Sequence, residues 1–141
     1  MVIGGGCHCG NISFELDWHG DPDLIPGRAC GCSFCVKHGG VWTSEPRSSL
    51  VVEIGNPDLA SSYSFETGTA AFHVCAQCGV VPLVTSRIAG RLHAVVNVNT
   101  LEGIDPSILQ VVETSFDGED LEARLARRQR NWIPSVSVRV R

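Results

Sequence analysis

The chain has 141 residues, of which 43% are hydrophobic and 18% are charged, and its formal net charge is -4. This composition predicts a folded globular chain with one domain over residues 1–141, and it excludes an intrinsically disordered protein. The acidic balance also excludes a general electrostatic attraction to nucleic acid or to anionic lipid.

The sequence shows neither a transmembrane pattern nor an export signal. It has no run of 18 or more apolar residues, and no basic stretch followed by an apolar one stands near its start. We therefore expect a cytoplasmic location, where thiols stay reduced. Clustered cysteines in that compartment indicate metal binding or catalysis before disulfides, and an odd total of seven cannot pair completely within the chain.

Hydrophobic alternation predicts a succession of short strands. The clearest lies at residues 11–18, where every second residue from Ile12 to Trp18 is apolar, the period-two pattern of a half-buried strand. Shorter segments of similar character follow it along the chain: 50–54, 63–65, 71–74, 80–85, 92–98, 108–114 and 136–140. Turn-forming residues separate these segments, and the pattern predicts a mainly β fold of packed antiparallel sheets.

One segment, residues 117–132, predicts a helix of appreciable length. Its first turn is acidic and its last turn is basic, which complements the helix dipole, and Pro134 prevents its continuation. Leu121, Leu125 and the alkyl stem of Arg128 form a narrow apolar stripe, so we expect the rest of this short C-terminal helix to be exposed to water. This end of the chain holds six of its eleven basic residues: Arg124, Arg127, Arg128, Arg130, Arg139 and Arg141.

All seven cysteines fall into three short clusters. The clusters are Cys7 with Cys9, then Cys30 with Cys32 and Cys35, then Cys75 with Cys78. Residues i and i+2 of an extended segment project to one face, and the turn in a CxxC pair brings its sulfurs together, so each cluster can present thiolates to one metal ion. Gly10 and Gly79 directly follow two of the clusters and fit turns that need a positive φ, as in zinc knuckles.

Seven sulfurs divide naturally into a four-ligand site and a three-ligand site. A structural zinc site is closed by four protein ligands, whereas a catalytic site leaves one position for water or substrate. The spacing alone does not decide which clusters join. Uniting the first and third clusters, however, keeps the local three-cysteine run intact and connects distant strands. A closed zinc site of this kind contributes a folding free energy of about 10 kcal/mol or more.

Other ligand sets stay open on these residues. His38, three residues after Cys35, would close the second site with three cysteines and one histidine and remove its open position. His8 is a weaker candidate because it alternates away from the cysteines that flank it. Iron or an iron–sulfur cluster is the alternative to zinc at the four-cysteine site. The other histidines are expected to be ordinary surface or hydrogen-bonded core residues: His19, His73 and His93.

At these motifs the sequence resembles the glutathione-dependent formaldehyde-activating enzyme family, also called the GFA or centromere-protein-V domain family. The similarity is carried, in the family's order, by the segments 6–10, 30–37, 72–79 and 97–102. Each CxxC alone is a weak signal, but the three-part arrangement is specific. The resemblance implies a β-tent fold of antiparallel sheets bridged by zinc, with two zinc ions per chain.

The resemblance also implies roles for the cysteines. By position Cys7, Cys9, Cys75 and Cys78 match the family's structural zinc ligands. The matches to its catalytic zinc ligands are Cys30, Cys32 and Cys35. The implied activity is that of a carbon–sulfur lyase, in which glutathione adds to formaldehyde to give S-(hydroxymethyl)glutathione, so the expected partners are a small thiol and a small aldehyde. The developing alkoxide needs a cation or proton donor, for which Lys37, Arg28 and His38 are the candidates.

Other classes of function remain open. A non-catalytic interaction module stabilised by zinc would need no open metal position. Association with nucleic acid or microtubules would need the C-terminal arginines to form a patch, but a solvated helix face is favoured because the rest of the chain is acidic. A methionine sulfoxide reductase is disfavoured because no reactive cysteine follows Cys78.

Overall fold

The computed structural model describes residues 1–141 and contains twelve strands and two α-helices. In chain order the elements are β1 (Val2–Gly6), β2 (Ile12–Asp17), β3 (Ile25–Cys30), α1 (Ser33–His38), β4 (Val41–Thr43), β5 (Ser49–Ile54), β6 (Ala60–Tyr63), β7 (Ala71–Cys75), β8 (Leu83–Ile88), β9 (Arg91–Asn97), β10 (Leu101–Glu102), β11 (Leu109–Thr114), α2 (Leu121–Asn131) and β12 (Ser135–Val140). The mainly β prediction is confirmed. Neither helix has the length and apolar character needed to cross a membrane.

The strands form two sheets. The five-stranded sheet has the order β10-β1-β2-β5-β12, and the seven-stranded sheet has the order β11-β3-β4-β9-β8-β7-β6. In the first sheet, β2 lies between β1 and β5, so that Phe14 pairs with Gly5 on one side and Val52 on the other. Along β2 the buried side chains are Ile12, Phe14 and Leu16, which confirms the alternation predicted for this segment.

Most neighbouring strands are antiparallel, as expected, but one edge of each sheet is parallel. Strand β12 pairs in parallel with β5, and β11 pairs in parallel with β3. Parallel neighbours require a long crossover, and residues 31–108 and 55–134 supply it here. The alternation of apolar residues is the same in either direction, so the sequence pattern could not reveal this part of the topology.

The main core lies between the sheets and contains side chains from both. Ile12, Leu16 and Leu50 of the first sheet belong to the same buried cluster as Leu83 and Val96 of the second. A smaller cluster, which includes Cys35, Trp42 and Phe72, lies beside the three-cysteine run. The candidate site therefore borders an aromatic core of its own.

Several elements differ from the sequence prediction. The helix begins at Leu121 because Asp120 is its N-cap and accepts a hydrogen bond from the Ala123 N–H, so residues 117–120 precede it. The segment predicted as 80–85 is strand β8, which starts at Leu83, after Pro82. No pattern in the sequence predicts β1, β3, β4, β10 or α1, because β1 is glycine-rich, β3 contains both a proline and a glycine, and the other three are short.

The apolar stripe expected for the C-terminal helix is confirmed at Arg128 and wrong at Leu121. Arg128 is only 7% exposed and is the buried residue of α2, whereas Leu121 is 45% exposed. The helix therefore turns its basic side inward at Arg128, where the guanidinium donates to hydroxyl groups of the seven-stranded sheet and its neighbouring turn.

Candidate metal centres and the adjoining cavity

Four cysteines from two distant parts of the chain come together between the sheets. Cys7 and Cys9 follow β1, while Cys75 ends β7 and Cys78 lies in the turn after it. Their four Sγ atoms lie within 4.8 Å of one another, with 3.7 Å between Cys7 and Cys9 and 3.5 Å between Cys9 and Cys75. Tetrahedral zinc with Zn–S bonds of about 2.3 Å needs sulfurs about 3.8 Å apart, so this donor set fits zinc.

The two turns that carry this four-cysteine set have the conformation expected of zinc knuckles. Gly10 has a φ of 82° and Gly79 a φ of 80°, which confirms the predicted need for glycine. The Ile12 N–H donates to the Sγ of Cys7 across 3.2 Å, and the backbone N–H three residues after Cys75 donates to its Sγ across 3.5 Å. Such donors stabilise thiolates. The set thus connects the five-stranded sheet to the seven-stranded sheet.

The thiols of the four-cysteine set influence one another's ionisation. Burial, together with hydrogen bonds to neighbouring thiols, raises the pKa of Cys7 to about 11. Burial also acts to raise the pKa of Cys78, but backbone N–H donors and the neighbouring thiols outweigh it and lower this pKa to about 6. The Cys78 thiolate therefore carries a negative charge that would attract a cation. A bound dication would in turn favour the thiolate form of all four cysteines.

The second set comprises Cys30, Cys32 and Cys35, whose three Sγ atoms also lie within 4.8 Å of one another. Cys30 ends strand β3, Cys32 is the N-cap of α1, and Cys35 is buried within that helix. The Cys35 N–H donates to the Sγ of Cys32 across 3.3 Å, and the indole of Trp42 donates to the Sγ of Cys35 across 3.4 Å. The change from strand to helix thus brings the three sulfurs close together.

Ionisation in the three-cysteine set is unequal. A hydrogen bond from Cys35, helped by the Cys32 N–H and the positive charge of Arg127, lowers the pKa of Cys30 to about 5 against the effect of burial. The same bond and burial strongly raise the pKa of Cys35, and Trp42 opposes this rise. Negative charge is therefore concentrated at Cys30, and the three sulfurs form a donor set of the kind that a soft metal ion prefers.

His38 does not belong to the three-cysteine set. Its ring packs on Phe34 and Trp42, with centroids 4.5 and 5.9 Å apart, and its Nε2 is buried without a hydrogen-bond partner. The group of converging ligand atoms contains three sulfurs and no histidine nitrogen. Burial lowers the pKa of His38, which favours the neutral form of its ring. The structure leaves one tetrahedral position of this set without a protein ligand.

The other histidines have the ordinary roles predicted for them, and none joins a cysteine set. His8 is exposed in its turn. The His19 ring pairs with a carboxylate at the surface, 3.1 Å away. His73 shares a hydrogen bond of 2.7 Å with the Thr85 hydroxyl, and His93 is buried with its Nδ1 3.0 Å from a backbone carbonyl.

A cavity of about 130 Å³ adjoins the three-cysteine set. Cys30, Cys32 and Cys35 all line it, whereas no member of the four-cysteine set does. Aromatic side chains supply much of its apolar wall: Trp42, Phe65, Phe72, Phe116 and Trp132. The two sets therefore differ in access as well as in ligand number, because a small molecule in this cavity reaches one set alone.

Arginines supply the basic part of the cavity wall. They are Arg28 from β3 and Arg124, Arg127 and Arg128 from α2. Of the three cation candidates in the sequence analysis, Arg28 lines the cavity, whereas Lys37 and His38 do not. The three helix arginines were missed as site residues, although their i, i+3, i+4 spacing places them on one helix face and was visible in the sequence.

Two of these arginines are paired with carboxylates. Arg127 binds Glu119 through two bonds, Nε to Oε2 at 3.0 Å and Nη2 to Oε1 at 3.1 Å. Arg124 reaches Glu119 at 3.4 Å and Glu66 at 3.3 Å. The guanidinium of Arg127 holds the pKa of Glu119 below its usual range. These pairs fix one side of the helix N-terminal region against the cavity.

The other two arginines have no carboxylate within salt-bridge distance. The Nη2 of Arg28 donates to the Ser44 hydroxyl at 2.9 Å, and the Nη1 of Arg128 donates to Thr69 at 3.0 Å and Ser86 at 3.3 Å. Burial, with nearby Arg127, lowers the pKa of Arg28. Burial and the neighbouring arginines lower the pKa of Arg128 to about 10. Both remain cations at neutral pH.

A comparison with protein-family models matches residues 2–114 to the GFA family, described as glutathione-dependent formaldehyde-activating enzyme. The chain belongs to this family. Among solved structures, a crystal structure of a Rhodobacter sphaeroides protein matches this GFA-family chain with a TM-score of 0.62 and 31% sequence identity. The match covers 79% of this chain and 99% of the other. Helix α2, with the three arginines that line the cavity, lies beyond the residues that the family model matches.

Proposed function

We propose that this GFA-family chain is a zinc-dependent carbon–sulfur lyase that joins a thiol such as glutathione to formaldehyde or a related small carbonyl at Cys30, Cys32 and Cys35. One observation carries the proposal. The three-cysteine set has an uncompleted ligand shell and lines a cavity, whereas the four-cysteine set supplies a whole tetrahedron and lines none of that cavity. An open position beside a cavity is typical of a catalytic metal site.

The reaction forms one bond between the thiol sulfur and the carbonyl carbon. The carbon–oxygen double bond becomes single, and the proton lost by the thiol ends on the oxygen, so that the product is a hydroxymethyl thioether. A zinc ion held by the three sulfurs would act as a Lewis acid and lower the pKa of a thiol in its fourth position. No oxidant, reductant or further reactant is needed.

The surrounding side chains have separate tasks in this proposal. Arg28 precedes Cys30 by two residues on β3 and lines the same cavity, so we assign it to the negative charge that develops on the carbonyl oxygen. Trp42 orients Cys35 through its indole hydrogen bond. The aromatic wall limits water near the reacting atoms, which strengthens the electrostatic effect of Arg28.

The four-cysteine set has a structural role in this proposal. Its zinc would hold the end of β1 to the end of β7 and so connect the two sheets. We propose two zinc ions per chain on this basis, one structural and one catalytic. A cytoplasmic location suits both, because thiolate ligands and a thiol substrate need a reducing compartment.

Carbon-13 exchange NMR tests the proposed activity, because it measures the rate of the reaction at equilibrium. Thiols also add to formaldehyde without an enzyme, so the uncatalysed rate in buffer is measured alongside. We expect the zinc-loaded protein to accelerate exchange between labelled formaldehyde and S-(hydroxymethyl)glutathione above the buffer rate. Cys32→Ser should abolish the acceleration while the protein stays folded. An exchange rate equal to that of buffer would contradict the proposed activity.

A further inference from the structure

Arg128 is a buried cation with an unused hydrogen-bonding edge. Its side chain lines the cavity, and the residue is only 7% exposed. Both of its hydrogen bonds leave from Nη1, to the hydroxyls of Thr69 and Ser86. Its Nε is buried without a partner, and its Nη2 makes no hydrogen bond. A buried polar group without a partner is rare in folded proteins and calls for an explanation.

The neighbouring residue on the helix shows what this edge can bind. Arg127 uses its own Nε and Nη2 to hold both carboxylate oxygens of Glu119, at 3.0 and 3.1 Å. This side-on arrangement is the geometry in which a guanidinium recognises a carboxylate most specifically. In Arg128 the same pair of nitrogens holds no carboxylate, and the Nε of the pair is buried.

The charges around the cavity reinforce the contrast. Two carboxylates line the cavity: Glu66 pairs with Arg124, and Asp117 is exposed and forms no salt bridge. Glu119, outside the lining, pairs with Arg124 and Arg127, and no carboxylate lies within 4 Å of either Arg28 or Arg128. The Thr69 and Ser86 hydroxyls and the Trp132 ring, 5.1 Å from the guanidinium carbon, stabilise the Arg128 cation, but none of them carries a negative charge. A buried charge without a counter-ion is unfavourable, so an anion that enters this cavity gains from pairing with Arg128.

We infer that Arg128 is the anchor of a carboxylate-binding subsite in the cavity of the three-cysteine set, and that the substrate bound there carries a carboxylate. That this ligand is a substrate rests on the proposed function, whereas the binding of a carboxylate at Arg128 does not. Because Nε is buried and Nη2 makes no hydrogen bond, a carboxylate would engage Nη2 directly and would reach Nε only if the guanidinium rotates. The carboxylate can belong to the thiol or to the carbonyl reactant.

Two pairs of probes separate these sources, each pair differing only in its charge. The thiol pair is 3-mercaptopropionate and its amide, and the carbonyl pair is glyoxylate and glyoxylamide. Binding is followed by quenching of tryptophan fluorescence, since Trp42 and Trp132 line the cavity. We expect the acid of at least one pair to bind the wild-type zinc-loaded protein about tenfold more tightly than its amide, as for a charge-assisted hydrogen bond.

Variants on the same helix assign the effect to one residue. Arg128→Met should weaken binding of the preferred acid about tenfold and change binding of its amide less than about twofold. Arg130 is exposed, does not line the cavity and carries the same charge, so Arg130→Met is the matched control and should leave both probes within about twofold. If Arg128→Met does not fold, Arg128→Gln, an uncharged side chain that can still donate to the Thr69 and Ser86 hydroxyls, takes its place, and an acid-to-amide ratio unchanged from that of the wild-type protein would overturn the subsite.

The outcomes distinguish this inference from the proposed function. A protein that prefers an acid through Arg128 but exchanges formaldehyde no faster than buffer retains the carboxylate subsite and loses the proposed activity. Catalysed exchange with no preference for the acid in either pair overturns the subsite and leaves the activity in place. An equal loss of acid binding in Arg130→Met also overturns it, because the effect would then be one of net charge.

Discussion

The indole Nε1 of Trp42 donates a hydrogen bond to the Sγ of Cys35 across 3.4 Å. Cys35 is buried, and Trp42 belongs to the same small core cluster on β4. The bond stabilises the thiolate form of Cys35, whose pKa is raised by its hydrogen bond with Cys30 and by burial. A core side chain therefore influences how strongly the sulfurs of the three-cysteine set would bind a metal ion.

Trp42→Phe should weaken zinc binding at the three-cysteine set about tenfold at neutral pH, because Cys35 loses its donor and its thiolate forms at higher pH. Competition with a chromophoric chelator over a range of pH measures this shift. Trp18→Phe is the matched control, since the Trp18 indole is also buried but donates to a backbone carbonyl and not to a cysteine. A similar loss in both variants would mean that general core damage is the cause.

Gly5→Ala should destabilise the fold by about 1–3 kcal/mol, the usual cost of overpacking. A Cβ at Gly5 would lie 2.6 Å from the backbone oxygen of Thr100 and would overlap the Phe14 ring. Gly4→Ala, one residue earlier on β1, has no atom within 4 Å of its new Cβ and should be nearly neutral. Urea denaturation of the two variants measures the difference, and equal stabilities would show that β1 is placed incorrectly.

Cys75→Ser and Cys32→Ser should affect the protein differently. Cys75 is fully buried where the sheets are connected, so its loss should unfold or aggregate the protein. Cys32 lies beside the cavity at the start of α1, and its loss should leave the fold intact while thiol binding weakens. Circular dichroism with thermal unfolding measures the fold. Equal damage from both substitutions would contradict the division of roles.

Glu119→Gln should lower the free energy of unfolding at pH 7 by about 1 kcal/mol, as expected for a partly exposed ion pair. The folded-state pKa of Glu119 is depressed, so its contribution is present above the unfolded pKa of about 4.3 and is lost as pH falls through the folded value. Variant and wild type should therefore converge in acid. Glu122→Gln, an exposed change three residues later in the first turn of α2 and without an ion pair, should show a smaller and less pH-dependent effect.

The two cysteine sets can be predicted from the sequence more fully than the cavity can. Within each cysteine cluster the spacing is local, so the backbone fixes where two or three sulfurs point. The role of Arg128 depends instead on contacts with Thr69 and Ser86, 59 and 42 positions away in the chain. An arginine-rich helix gives the same sequence pattern whether its charges face solvent or line a cavity, because packing decides between them.

The exclusion of His38 also needed the structure. Its position three residues after Cys35 is compatible with ligation, and helical spacing would place the two residues on one face. Packing of its ring against Phe34 and Trp42 removes it from the sulfurs. The parallel edge strands β11 and β12 were beyond prediction for a similar reason, since their partners are set by long connections and not by local pattern.

Native mass spectrometry of the zinc-loaded protein tests the central claim most directly, because it counts the ions held by each chain. We predict two zinc ions in the wild-type protein and one in Cys32→Ser, with the four-cysteine ion retained. One ion in the wild-type protein, or two in Cys32→Ser, would contradict the assignment of an open metal site to Cys30, Cys32 and Cys35.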